Sequence, residues 1–259
     1  MESGNDRDKP VCEEPGDLSG LCRMGGIAAY ILIVYSLATI VQMVVLGGQP
    51  TSAAEAFTLL QHNKALGLLR LDLPTLIVMP LYYLLFLGLF AALRRSNLVN
   101  ALLATALAFV GVTLLLATPT ALSMLPLSDK FAAATTDAAR AQLLAAGEAI
   151  MGADIWHGTG AILGGVLLQC GAVLICCVML RGGVFGKATV WLGIVMHSLD
   201  LAHIVCGLFV PAAGVVLMAI AGPLYPIWLF LIGRGLLKLA SGKDRDSSNL
   251  IAPEGIARV

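Results

Sequence analysis

Residues Ala188–Val210 read ATVWLGIVMHSLDLAHIVCGLFV. As a helix, this run is long enough to cross the roughly 30 Å hydrocarbon layer of a bilayer. Within it lie one aspartate, Asp200, and two histidines, His197 and His203. A carboxylate at membrane depth costs about 2.5–3.5 kcal/mol on insertion scales, so Asp200 is expected to face other helices or a wet cavity, not lipid. Helical positions i, i+3 and i+6 fall within about 120° of one another, which puts His197, Asp200 and His203 on one face.

Working outward, the composition agrees with this reading. The chain of 259 residues is 58% hydrophobic and only 12% charged, with a mean hydropathy of +0.89. Soluble domains carry about 25% charged residues. Several further apolar runs of span length make this a polytopic, all-α membrane bundle whose first partner is the lipid bilayer. A formal net charge of zero gives no electrostatic footprint for nucleic acid. Of six cysteines, Cys170, Cys176, Cys177 and Cys206 lie in apolar runs. With no C-x-x-C pair, they read as small packing residues. The N-terminus opens with acidic residues and lacks the pattern of a signal peptide.

Six spans are expected. Met1 to about residue 22 reads as a disordered tail, as do the residues from 241 onward. The first span runs from about Gly26 to Leu46. Ser52 and Glu55 form a capping-box pattern ahead of a short amphipathic helix lying on the membrane surface or over the bundle. The second span covers about Leu71 to Leu93, with Pro80 placed to kink it. The third covers about Leu98 to Leu122, bent or ended by Pro119. Thr136-Asp137 can cap a second amphipathic helix reaching Met151. The fourth span, about Ile155 to Leu180, carries Gly160, Gly164 and Gly171. That seam permits close helix approach, and we expect span five to be its partner. Pro211 and Gly214 turn the fifth span back into the sixth, about Val215 to Leu237, in which Gly222-Pro223 and Pro226 predict a break or kink.

Twelve of the sixteen Lys and Arg residues fall on the side of the termini, leaving Lys64, Arg70, Lys130 and Arg140 on the other. By the positive-inside rule, both termini are expected in the cytoplasm and the two amphipathic helices outside.

Three stretches carry a family resemblance: MGGIAAYILI from Met24, ALGLLRLD from Ala65 to Asp72, and LRGGVFGKATVWLG from Leu180 to Gly193. In these the chain resembles the DUF4386 family of bacterial multi-pass membrane proteins. The resemblance implies the same six-span layout from Arg23 to Lys238 and no particular activity.

The candidate site gathers the polar groups expected in the outer half of the bundle. These are Asp200, His203 and His197 in span five, Asp154 and His157 at the mouth of span four, and Arg70 and Asp72 at the mouth of span two. Asp200 is expected to pair with His203 or His157, or failing these with Arg70. Such a pocket could bind a small ligand or relay protons, with a histidine sharing the proton of Asp200. Imidazole and carboxylate are also zinc ligands, but i, i+3, i+6 spacing spreads three of them over about 9 Å of helix axis. A metal, or haem held by two of the histidines, would therefore need ligands from other helices. The polar residues could equally serve packing alone, bonding between helices; Gln42 and Gln169 read as such bridges. No motif for a nucleophile, a zinc protease or a phosphate loop is present. Catalytic residues and cofactor are therefore left unassigned. Beside the ligand-binding reading stand a membrane-embedded metal-dependent enzyme and a regulatory or structural partner protein.

Overall fold

The computed structural model describes residues 17–155 and 157–242. Within them the chain forms α-helices and no strand: α1 (Asp17–Val45), α2 (Ala53–His62), α3 (Lys64–Arg70), α4 (Leu73–Val78), α5 (Leu81–Leu93), α6 (Leu98–Leu116), α7 (Ala121–Ala133), α8 (Asp137–Met151), α9 (Thr159–Gly182), α10 (Lys187–Gly207), α11 (Pro211–Ala221) and α12 (Leu224–Ala240). Six segments are long and apolar enough to cross a membrane. They are α1, α4 with α5, α6 running on into α7, α9, α10, and α11 with α12.

The first helix begins at Asp17, earlier than expected. Leu18, Leu21 and Cys22 recur at helical spacing, and Cys22 is buried with its thiol against the Gly88 carbonyl at 3.8 Å. The tail reading is thus corrected for residues 17–22. Its remainder, together with the stretch from 243 onward, lies outside the described residues.

Proline sets the breaks. Span two is interrupted at Met79–Pro80, between α4 and α5. Helix α6 ends at Leu116, just before Pro119, and span six breaks at Gly222–Pro223. Each proline lacks the N–H that would continue the ladder. Span six starts at Pro211 rather than near Val215, because a proline at the first helical position costs no hydrogen bond. The hairpin before it is tight: a Cβ on Gly214 would lie 2.9 Å from the Gly207 Cα.

The spans close into a ring in sequence order. Helix α1 packs on α5, α5 on α6, α6 on α9, α9 on α10, α10 on α11 and α12, and α12 returns to α1. The glycine seam of α9 does meet a helix at close range, but its partner is span three rather than span five. A Cβ on Gly164 would stand 2.8 Å from the Gly111 carbonyl, and one on Gly171 2.6 Å from that of Ala104. Small residues recur on α6 as well, at Ala104, Ala108 and Gly111. Two small-residue seams attract each other more than either attracts the bulkier α10.

On the side away from the termini, the two long connections build one unit with its own core. Helices α2, α3, α7 and α8 enclose Ala53, Ala56, Phe57, Leu60, Ala121 and Met124. Ser52 and Thr136 cap α2 and α8 as expected, accepting from the Glu55 and Ala139 amides. The Glu55 carboxylate reaches one residue further back than in a capping box, to the Thr51 amide at 2.9 Å. That backbone hydrogen bond, opposed by partial desolvation and reinforced by the Thr51 hydroxyl and Arg70, holds Glu55 below its ordinary pKa. Glu148 accepts from the Ala53 amide at 2.8 Å, tying α8 to the start of α2.

Asp72 anchors this unit to the bundle. It is 2% exposed. Its carboxylate accepts from the Thr120 amide (2.6 Å), the Thr120 hydroxyl (3.0 Å) and the Ala121 amide (2.8 Å) at the start of α7. Asp72→Ala would strand those buried donors. We expect a loss of about 3 kcal/mol, seen as a lowered unfolding midpoint in mild detergent.

Candidate functional site

Asp200 lies thirteen residues into α10, about 20 Å along its axis at 1.5 Å per residue. It faces the bundle and is half-buried. Its partners come from two other spans. Oδ2 accepts from the Tyr225 hydroxyl of α12 at 2.6 Å and from Gln169 Nε2 of α9. Gln169 Nε2 also reaches the Tyr225 oxygen at 2.8 Å, and Gln169 Oε1 meets His197 Nδ1 at 2.7 Å. Donor logic fixes the chain. The Gln169 oxygen can only accept, so His197 carries its proton on Nδ1. The ring of His197 stands edge-on to Tyr225 and Trp228, with centroids 5.6 and 4.7 Å away. His197 is 4% exposed, and its Nε2 has no partner.

Local sequence explains the placement. Gln169 is the one amide in α9, in the apolar run between Thr159 and Arg181, and burying it demands partners. Tyr225 follows the Gly222–Pro223 break by two residues, and Tyr82 follows Pro80 by the same interval. Each proline thus sets a tyrosine at the start of the half-helix that leads toward the side of the termini. Tyr82 lies within electrostatic range of Asp200, as does His203. Gly193, one turn before His197, leaves room for the Trp228 indole and the Cys176 thiol. Both bonds to Asp200 among the described residues fall on Oδ2, which leaves Oδ1 as an open acceptor. Among the described residues, neither lysine nor arginine pairs with the carboxylate.

The structure brings together only part of the expected constellation. Asp200 and His197 share one network through Gln169. His203 bonds the Gly214 carbonyl at 2.9 Å, joining α10 to α11. His157 is exposed and pairs locally with Asp154 at 2.9 Å. Arg70 binds the Gly48 carbonyl at 2.7 Å and Glu55 at 3.4 Å, and Asp72 caps α7. The expected pairing of Asp200 with His203, His157 or Arg70 is thus corrected: its bonds come from Gln169 and Tyr225, and Asp72 is bound elsewhere. Sequence reasoning missed Tyr225 and Tyr82 as site residues. It found Gln169 as a helix bridge, though not as the partner of Asp200. No group of three or more His, Cys, Asp or Glu side chains among the described residues could hold a metal ion.

Fold and site together define a multi-pass membrane protein with a polar cluster inside its ring of spans. Comparison with family models, with curated proteins and with solved structures finds no match to this chain.

Proposed function

We propose that this protein is a membrane-embedded binding protein whose exchangeable charge is Asp200, which takes up a proton or a small cationic ligand. The observation that carries this is a carboxylate at membrane depth held by neutral donors on one oxygen only. A group kept for packing would be cheaper as asparagine, because an intramembrane charge is costly and marks function. The hydrogen-bonded chain from Asp200 through Gln169 stops at His197 Nε2, which has no partner. The breaks at Pro80 and Pro223, next to Tyr82 and Tyr225, supply half-helices that can move as a ligand arrives. No observation favours the metal-dependent enzyme. Infrared titration of the purified protein in lipid nanodiscs should show a protonating carboxyl that Asp200→Asn lacks. Identical titrations for parent and variant would reject the reading.

We propose further that the chain is a DUF4386-type protein of the cell membrane with both termini cytoplasmic, supported by the three stretches quoted above and by the charge asymmetry. Lys243→Cys should then resist membrane-impermeant thiol reagents on intact cells, while Lys130→Cys reacts. The opposite pattern would reverse the orientation.

A further inference from the structure

The ring is tight at one end and splayed at the other. Near the termini, α1 and α12 touch almost backbone to backbone. A Cβ on Gly26 would lie 2.7 Å from the Leu237 side chain and 3.1 Å from the Gly233 carbonyl. Beyond Tyr35 this packing ends. Residues 37–41 and 43–46 of and just after α1 are all exposed, Val41 at 60% and Val44 at 80%, and they cover every face of the helix. Helix α4 buries no side chain, α10 buries none beyond His197, and α11 buries only Gly214 and Ala221. Helix α1 packs on α12 and α5, without comparable packing on α11. At the same level α6 and α9 stay locked through Gly111 and Gly164. The splay is thus local to the edge where the first span meets the last. Tyr35 bonds Thr75 of α4 at 2.7 Å and Gln42 bonds the Leu69 carbonyl of α3 at 2.8 Å, so side chains of α1 tie it to α3 and α4 on one side of the splay. The His203–Gly214 bond makes α10 and α11 the other.

We propose that this splay is a vestibule opening sideways to lipid, and that it takes an amphiphile with a single cationic amine head and an apolar tail. The proposal rests on the reading of Asp200 as an exchangeable charge. Asp200 stands on α10, within electrostatic range of Tyr82, which is itself in range of Tyr35 on α1. The groups around it are Tyr82 from α5, Gln169 from α9, His203 from its own α10 and Tyr225 from α12, with His197 behind Gln169. The open Oδ1 and the tyrosine oxygens are acceptors suited to an ammonium, and a carboxylate there repels an anionic head. The wall of α11 is apolar from Pro211 to Ala221, which suits an alkyl tail and offers nothing to a long polar one. An amphiphile already dissolved in the bilayer would reach the site through the unpacked edge without crossing water.

The test uses the full chain in nanodiscs of zwitterionic lipid, with empty discs subtracted. Probes are dodecylamine, methylammonium and dodecanoate. Dodecylamine should bind saturably. Asp200→Asn should weaken it by roughly tenfold to a hundredfold, the span expected for losing a charged hydrogen bond. Tyr225→Phe keeps the ring and should weaken it less, which covers the case in which the aspartate variant misfolds. Methylammonium should bind more weakly and dodecanoate should not saturate. Methylammonium binding as tightly as dodecylamine would overturn the lipid-side vestibule and leave Asp200 as the exchangeable charge. Saturable dodecanoate would overturn the cationic head. Absent dodecylamine binding would overturn this inference alone if the infrared titration of Asp200 stands. Dodecylamine binding untouched by Asp200→Asn would overturn both.

Discussion

Asp200→Asn is expected to leave the bundle folded, with an unfolding midpoint equal to the parent's or higher, while its exchangeable charge is lost. Asparagine keeps the shape and an oxygen that can still accept from Tyr225 and Gln169. It removes a charge whose desolvation opposes burial. Stability and function should therefore move apart: binding of a cationic probe falls by roughly tenfold to a hundredfold while folding holds. In the parent, the same binding should disappear as pH falls through the titration of Asp200, because the protonated acid no longer attracts a cation. Asp200→Leu separates the effects differently. It would leave the Gln169 amide and the Tyr225 hydroxyl without their acceptor, at a cost of about 2–3 kcal/mol. A variant at Asp200 that loses stability and binding in proportion would point to a packing role instead.

The second large effect concerns the seam between α6 and α9. A Cβ on Gly111 would fall 2.6 Å from both the Gly164 carbonyl oxygen and the Leu168 amide nitrogen. One on Gly171 would fall 2.6 Å from the Ala104 oxygen and 2.9 Å from the Ala108 nitrogen. These obstacles are backbone atoms, so no side chain can swing aside and the two helices would have to separate. Gly111→Leu or Gly171→Leu is expected to cost about 3 kcal/mol or more and to lower the unfolding midpoint sharply. Gly20→Ala is the control. Nothing lies within 4 Å of a Cβ there, and alanine gains up to about 1 kcal/mol of helix propensity over glycine. Equal behaviour of Gly171→Leu and the control would show that the seam is not a contact.

Much of the fold was legible because lipid imposes a simple code. Apolar length marks the spans, and Pro80, Pro119 and Gly222-Pro223 mark the breaks. Ser52 and Thr136 announce helix starts through short-range bonds readable within four residues. The inward face of Asp200 followed from its insertion cost. Its partners did not follow, because Gln169 and Tyr225 stand 31 and 25 residues away and join it only through the closure of the ring. Asp72 shows the same limit. As a charged residue at the mouth of a span it resembled a ligand group, yet it caps a helix whose first residue lies 49 positions later. The seam of α9 was plain from glycine spacing, while its choice of α6 over α10 depended on small residues in another helix.

The exchangeable state of Asp200 is best tested with dicyclohexylcarbodiimide, an apolar reagent that dissolves in lipid and adds a protonated carboxylic acid across its C=N bond. The protein in nanodiscs would be treated across a range of pH and the modified residue located by mass spectrometry. Asp200 should be modified, increasingly so as pH falls, and dodecylamine should protect it. An Asp200 that remains unmodified at every pH, while carboxylates outside the spans react, would contradict its assignment as the exchangeable charge.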